Sequence, residues 1–142
     1  MRILGIDPGL ATVGWGVIDV INGKPKAVAY GVILTPKENK LPERLLIIEE
    51  DLKTLITKFN PDEIALEELF FNNNATTAIN VSHARGVILL TCTKACKKLF
   101  EYTPLQIKQA LTGNGRAEKH QIQFMVEAIL NLNSIPKPDD AA

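Results

Sequence analysis

Three short apolar runs open the chain, RILGID, VGWGVIDV and KAVAYGVILT, separated only by the turn signals DPG and NGKP. Runs of this length bounded by Gly, Pro and Asn read as strands, and connections so short oblige consecutive strands to run antiparallel. A meander is therefore implied before any helix appears. LPERLLIIEEDLKTLITKF follows, with Leu45, Ile48, Leu52, Leu55, Ile56 and Phe59 at three- and four-residue spacing, which predicts an amphipathic helix laid on one face of the sheet. DEIALE, set between NP and NNN, predicts a fourth strand. A helix is expected from about Ala75 to Lys98, and its stretch GVILLTCTKAC is apolar nearly all the way round, as in a central helix or one shared with a partner. FEY reads as a short fifth strand. TPLQIKQAL reads as a helix with Thr103 as cap and Pro104 at its first position, and AEKHQIQFMVEAILNL as another after the GNG loop. The chain closes on IPKPDDAA, where Pro138 followed by Asp139 and Asp140 looks like the start of one more helix. The order gives an α/β class: a mixed five-stranded sheet, antiparallel at first and then parallel, flanked by helices.

With 142 residues, 46% of them hydrophobic, the chain is sized for one domain over residues 1–142. No apolar run is long enough to span a bilayer, and MRILGIDPG lacks the features of a signal peptide, so an intracellular, cytoplasmic protein is expected. Cys92 and Cys96 lie four apart with no metal-ligand spacing around them, and read as buried, reduced thiols. The formal net charge is zero, yet the charges are segregated. Residues 38–68 hold nine acids against four bases, and residues 85–120 hold seven bases against two acids. Such asymmetry permits a polyanion-binding face and is equally compatible with solvated helix faces.

Asp7 closes an otherwise apolar first strand, and alternation puts it on the face of Ile3 and Gly5; Glu67 closes the fourth strand on the face of Ala65. Taken singly, either acid also suits an N-cap, a turn or an edge charge. If the two strands are adjacent and parallel, their ends lie about 4.8 Å apart. Two ionised carboxylates that close, in a partly dry cleft, call for a cation between them. An all-oxygen ligand set without His or Cys suits magnesium or manganese better than zinc. The glycine-rich turn GIDPGLATVGWG also permits a phosphate loop of an ATPase kind, but the chain has no GK[ST] sequence and no room for a second lobe.

Phe70 and Phe71 follow the Glu67 strand, and two adjacent residues at a strand end do not easily both face inward. One of them is a candidate for stacking on a nucleobase. Lys108 and Lys119 sit on the two helices flanking GNGRAEK, with Arg116 in the loop between them, where they either reach phosphates or are simply solvated.

GIDPGLATVGWGVI, ALEELFFNNNATTAINVSHARGVIL, YTPLQIKQALTGNGRAEKHQIQFMV and PKPDDAA together resemble the RuvC family of Holliday-junction resolvases, in register from Met1 to Ala142. The resemblance implies a ribonuclease H-like fold and a homodimeric endonuclease acting in DNA recombination and repair. Such a dimer makes paired nicks in two like-polarity strands of four-way junction DNA and works with a branch-migration helicase complex. It also implies magnesium, with manganese as a substitute, as two ions per site held by Asp7, Glu67 and Asp140. By the same carry-over Lys119 offsets transition-state charge, Phe70 inserts near the junction centre, Lys108 and Lys119 line the cleft with Arg116 beside them, and the apolar helix is the dimer interface. The family carries a fourth carboxylate three residues after the match to Asp140, a position this chain does not reach. The expectation is therefore a C-terminally truncated copy whose activity is in doubt, with a junction-binding module lacking catalysis as the alternative.

Overall fold

The meander forms as the sequence predicts. The computed structural model describes residues 1–68, 75–95 and 97–142. In it β1 (Arg2–Asp7), β2 (Thr12–Ile21) and β3 (Lys24–Leu34) pair antiparallel in succession. The β2–β3 hairpin turns on Asn22 and Gly23, both at positive φ (51° and 74°), the conformation that matches a tight turn to the twist of its strands. The chain then forms α1 (Leu41–Phe59), whose entry is held by the Lys40 N–H donating to Glu43 Oε2 at 3.2 Å and whose exit is the left-handed Asn60.

β4 (Glu63–Glu67) returns parallel to β1, and β5 (Lys98–Tyr102) adds parallel to β4, giving the order β3-β2-β1-β4-β5. Between them runs α2 (Ala75–Lys94). Leu4, Ile6, Val13, Val17, Ile64 and Leu66 project from one sheet face onto Ile48, Leu52 and Ile56 of α1 and Ala84, Ile88 and Cys92 of α2, all buried. Each large aliphatic side chain in that layer stabilises the fold by roughly 1.5–3 kcal/mol through burial. The periodicity of α1 in the sequence marks the inward residues seen here.

Three boundaries differ from expectation. α2 ends at Lys94 rather than Lys98, because Leu99 pairs with Ile64 and the ladder draws Lys98 and Leu99 into β5, which is longer than FEY. α3 (Pro104–Thr112) starts on a capping box, with the Gln106 N–H donating to Thr103 Oγ1 at 3.1 Å and the Thr103 N–H to Gln106 Oε1 at 2.8 Å. α4 (Lys119–Leu130), however, begins two residues later than AEKH suggests, since Glu118 is its cap and donates its N–H to Gln121 Oε1 at 2.8 Å. After Pro138 the chain makes a single 3-10 turn, Asp139–Ala141, closed by the Ala141 N–H on the Pro138 carbonyl at 2.9 Å. Cys92 is buried and its thiol is pushed up to about 11 by that burial, in keeping with an inert core thiol, while Cys96 lies outside the described residues.

Candidate active site

The sheet face opposite α1 and α2 carries the two carboxyls. Ile6 pairs with Leu66 across the parallel β1–β4 ladder, and Asp7 and Glu67 are the next residues of each strand, so both project from the same face at the same end. Both are half-buried, and their carboxyls share a hydrogen bond. Burial, and next the charge of Glu67, push Asp7 up to about 8; burial also raises Glu67. A shared hydrogen bond between two acids requires a proton, and a group raised this far holds one near neutrality.

Asp7 is flanked on its other side by β2, where Gly14 is its antiparallel partner. The 3-10 turn docks on β2 and β3 there, anchored by the buried Pro136 and Ala141. This brings Asp140 close enough for its charge to act on Asp7, from a position more than 130 residues along the chain. Asp7 is thus the central acid, influenced by both Glu67 and Asp140.

Cations approach from two helices. The charge of Lys119, the first residue of α4, lowers the Asp7 carboxyl, and the charge of Lys108 in α3 lowers that of Glu67. The structure therefore gathers Asp7, Glu67, Asp140, Lys108 and Lys119 at one end of the sheet. Arg116 is exposed on the loop between α3 and α4, with its backbone N–H on Asn114 Oδ1 at 3.0 Å. Phe70 and Phe71 lie outside the described residues.

The loop after Asp7 is fixed from below. The buried Thr35 donates its hydroxyl to the Leu10 carbonyl at 2.5 Å and its N–H to the Ala11 carbonyl at 3.0 Å, while Arg44 Nε of α1 donates to Thr35 Oγ1 at 2.9 Å. The turn DPGLA is therefore rigidly tied to α1, which holds the end of β1 in place. Its bonds hold the turn against β3 and α1.

Two neighbours of the carboxyls went unmarked in the sequence reading. Tyr102 pairs with Glu67 on β5, is 42% exposed, and shares the face of the acids; its carbonyl accepts from the Glu68 N–H at 2.7 Å. Gly14 faces Asp7. Counting forward from DPG across the β1–β2 turn would have found Gly14, whereas the β4–β5 register that places Tyr102 has no local signal.

The donor set fits a hard divalent cation: oxygen only, partly dry, with mutual repulsion that in its absence is met by a proton. Among the described residues no three His, Cys, Asp or Glu side chains stand close enough together to form a finished cage. A cation would compete with that proton for the same oxygens.

The family model for crossover junction endodeoxyribonuclease RuvC matches residues 3–142. The chain belongs to the RuvC family. Among curated RuvC relatives, the crossover junction endodeoxyribonuclease of Finegoldia magna is 54% identical over 142 residues, covering 100% of this chain and 87% of that protein. Its counterpart from Halothermothrix orenii is 55% identical, with 86% of its length covered. The structure of T. thermophilus RuvC in complex with Holliday junction substrate superposes with a TM-score of 0.93 at 33% identity, covering 99% of this chain and 86% of that one. The yeast mitochondrial resolvase Ydc2, at 18% identity and a TM-score of 0.67, shares the fold. The ribonuclease H-like sheet order and the RuvC motifs thus coincide in one chain.

Proposed function

We propose that this chain is a junction-resolving endonuclease that hydrolyses phosphodiester bonds in two like-polarity strands of a four-way DNA junction, with Asp7, Glu67 and Asp140 holding magnesium or manganese. The adjacent Asp7 and Glu67 carboxyls, with the charges of Asp140 and Lys119 acting on the first and that of Lys108 on the second, carry the reading. Bound there, the metal would supply Lewis acidity, making water a better nucleophile near neutral pH and offsetting charge on the phosphate. The protein's own residues do the rest. Asp7, on which the charges of both other acids act, would hold the metal together with Glu67 and Asp140, two ions per site being the number the resemblance implies. Lys119, whose charge acts on Asp7, stabilises the additional negative charge of a pentacovalent phosphate, while Lys108 acts on Glu67. The rigid strand ends fix these groups so that little reorganisation accompanies reaction.

Arg116, Lys108 and Lys119 form the basic approach to the cleft, and Phe70, next to the Glu67 strand, is the stacking residue in this reading. Paired cleavage needs two sites, and α2 offers the surface for a homodimer. Its outward side carries Ile79 (58% exposed) and Leu90 (51%), with His83 and Gly86 between them at helical spacing, while its inward side carries Ala84, Ile88 and Cys92. A helix apolar on both sides is explained by a core on one side and a partner on the other. Junctions would come from a branch-migration helicase complex. No described helix is long and apolar enough to cross a membrane.

The test is a synthetic four-way junction beside a linear duplex of the same sequence, each incubated with magnesium. Symmetric nicks in the junction and an intact duplex are expected; equal cutting of both would remove the structure-selective part of the reading.

A further inference from the structure

Gly14 lies directly opposite Asp7 on β2. Glycine in a strand interior weakens it, and so requires a reason. The φ of Gly14 lies outside the left-handed range, so conformational freedom is not that reason. Space is. A Cβ built on Gly14 would overlap the carbonyl oxygen of Asp140, lie 2.5 Å from its carbonyl carbon and 3.1 Å from its Cβ. The backbone of the 3-10 turn therefore sits where a side chain of residue 14 would stand. Gly16 and Gly5, on the same face one row further down, are different. A Cβ on Gly16 would meet only the Tyr30 Cβ at 3.8 Å, and one on Gly5 only the Gly16 carbonyl oxygen at 3.8 Å, both ordinary contacts.

We infer that Gly14 is a positioning residue for the metal site: its missing side chain is the seat that lets Asp140 reach Asp7. The inference rests on the metal-binding reading above. Among the described residues no ladder hydrogen bond to Asp140 is seen; the turn packs on β2 and β3 with Pro136 and Ala141 buried. A single methyl group at position 14 must push the Asp140 backbone outward, since the alternative is to move a central strand paired on both sides. Asp7 and Glu67, fixed by the parallel ladder, would stay where they are. The third ligand alone would be misplaced.

The experiment is Mn2+ binding by calorimetry on the whole 142-residue chain, for wild type, Gly14→Ala, Gly16→Ala, Asp140→Asn and the Gly14→Ala/Asp140→Asn pair. Losing support for a ligand typically weakens metal affinity by about 10–100-fold. Gly14→Ala is expected to fall in that range, Gly16→Ala to stay within about 2-fold, and the double variant to bind no more weakly than Asp140→Asn alone, because both changes remove the same ligand. Hydrogen exchange supplies a second readout: the Ala141 amide should lose protection in Gly14→Ala while the β1, β2 and β4 amides keep theirs. Wild-type affinity in Gly14→Ala, an equal loss in Gly16→Ala, additive losses in the pair, or a collapse of sheet protection would each overturn the role of Gly14. A wild-type chain that takes up no Mn2+ would instead overturn the metal reading, and this inference with it.

Discussion

The carboxyls of Asp7 and Glu67, sixty residues apart in sequence, end adjacent parallel strands and share a hydrogen bond. Metal-free protein should therefore depend on pH in an unusual direction. The folded-state value of Asp7, about 8, lies above its ordinary value of 3.8, so between those limits the folded chain holds a proton that the unfolded chain has released. The stabilisation is complete below pH 4 and is lost as pH rises toward 8. Thermal melting in a chelator should fall across that window, by on the order of 5 °C or more from this pair. Added Mn2+ should offset the fall most at the alkaline end, where no proton competes with it.

Replacing Lys119 by Met removes the positive charge that acts on Asp7. Cleavage at saturating junction should drop by roughly 10²-fold, the scale for losing one preorganised charge-stabilising group. Junction affinity should change far less, which single-turnover kinetics would separate from chemistry.

Arg116 is exposed, and its backbone N–H is held by Asn114 Oδ1. Arg116→Ala should weaken junction binding and reduce the slope of log K against log salt by about 0.9 for the one lost phosphate contact. The cleavage rate of bound junction should not change.

The two sides of α2 should respond differently. Ile88→Ala, at a fully buried position, should cost about 2–5 kcal/mol in denaturant unfolding. Leu90→Glu, half-exposed on the opposite side, should leave protomer folding intact and shift sedimentation toward the monomer, with loss of paired cutting.

Much of this was legible in the residues. The meander, α1 and the strand ending in Glu67 follow from turn chemistry and periodicity, and the placement of Asp7 and Glu67 on one face follows from alternation once their strands are neighbours. That adjacency is a long-range fact, decided by α1 carrying the chain across to the far side of β1. The α2–β5 boundary was misplaced because Lys98 and Leu99 have no local strand signal; Leu99 joins β5 through its pairing with Ile64. Tyr102 falls within the FEY strand, but its place beside Glu67 depends on the β4–β5 register, which has no local signal. Asp140 was reached in the sequence through family resemblance alone, and the physical cause of its position, a glycine seat on β2, is visible only in three dimensions.

The most direct test of the central claim is Asp7→Asn assayed for both binding and cutting of a four-way junction in magnesium. The acid cluster predicts binding within a few-fold of wild type and cleavage lower by at least roughly 10³-fold, without rescue by manganese. Cleavage by Asp7→Asn at the wild-type rate, or wild-type cutting that persists in excess chelator, would contradict it.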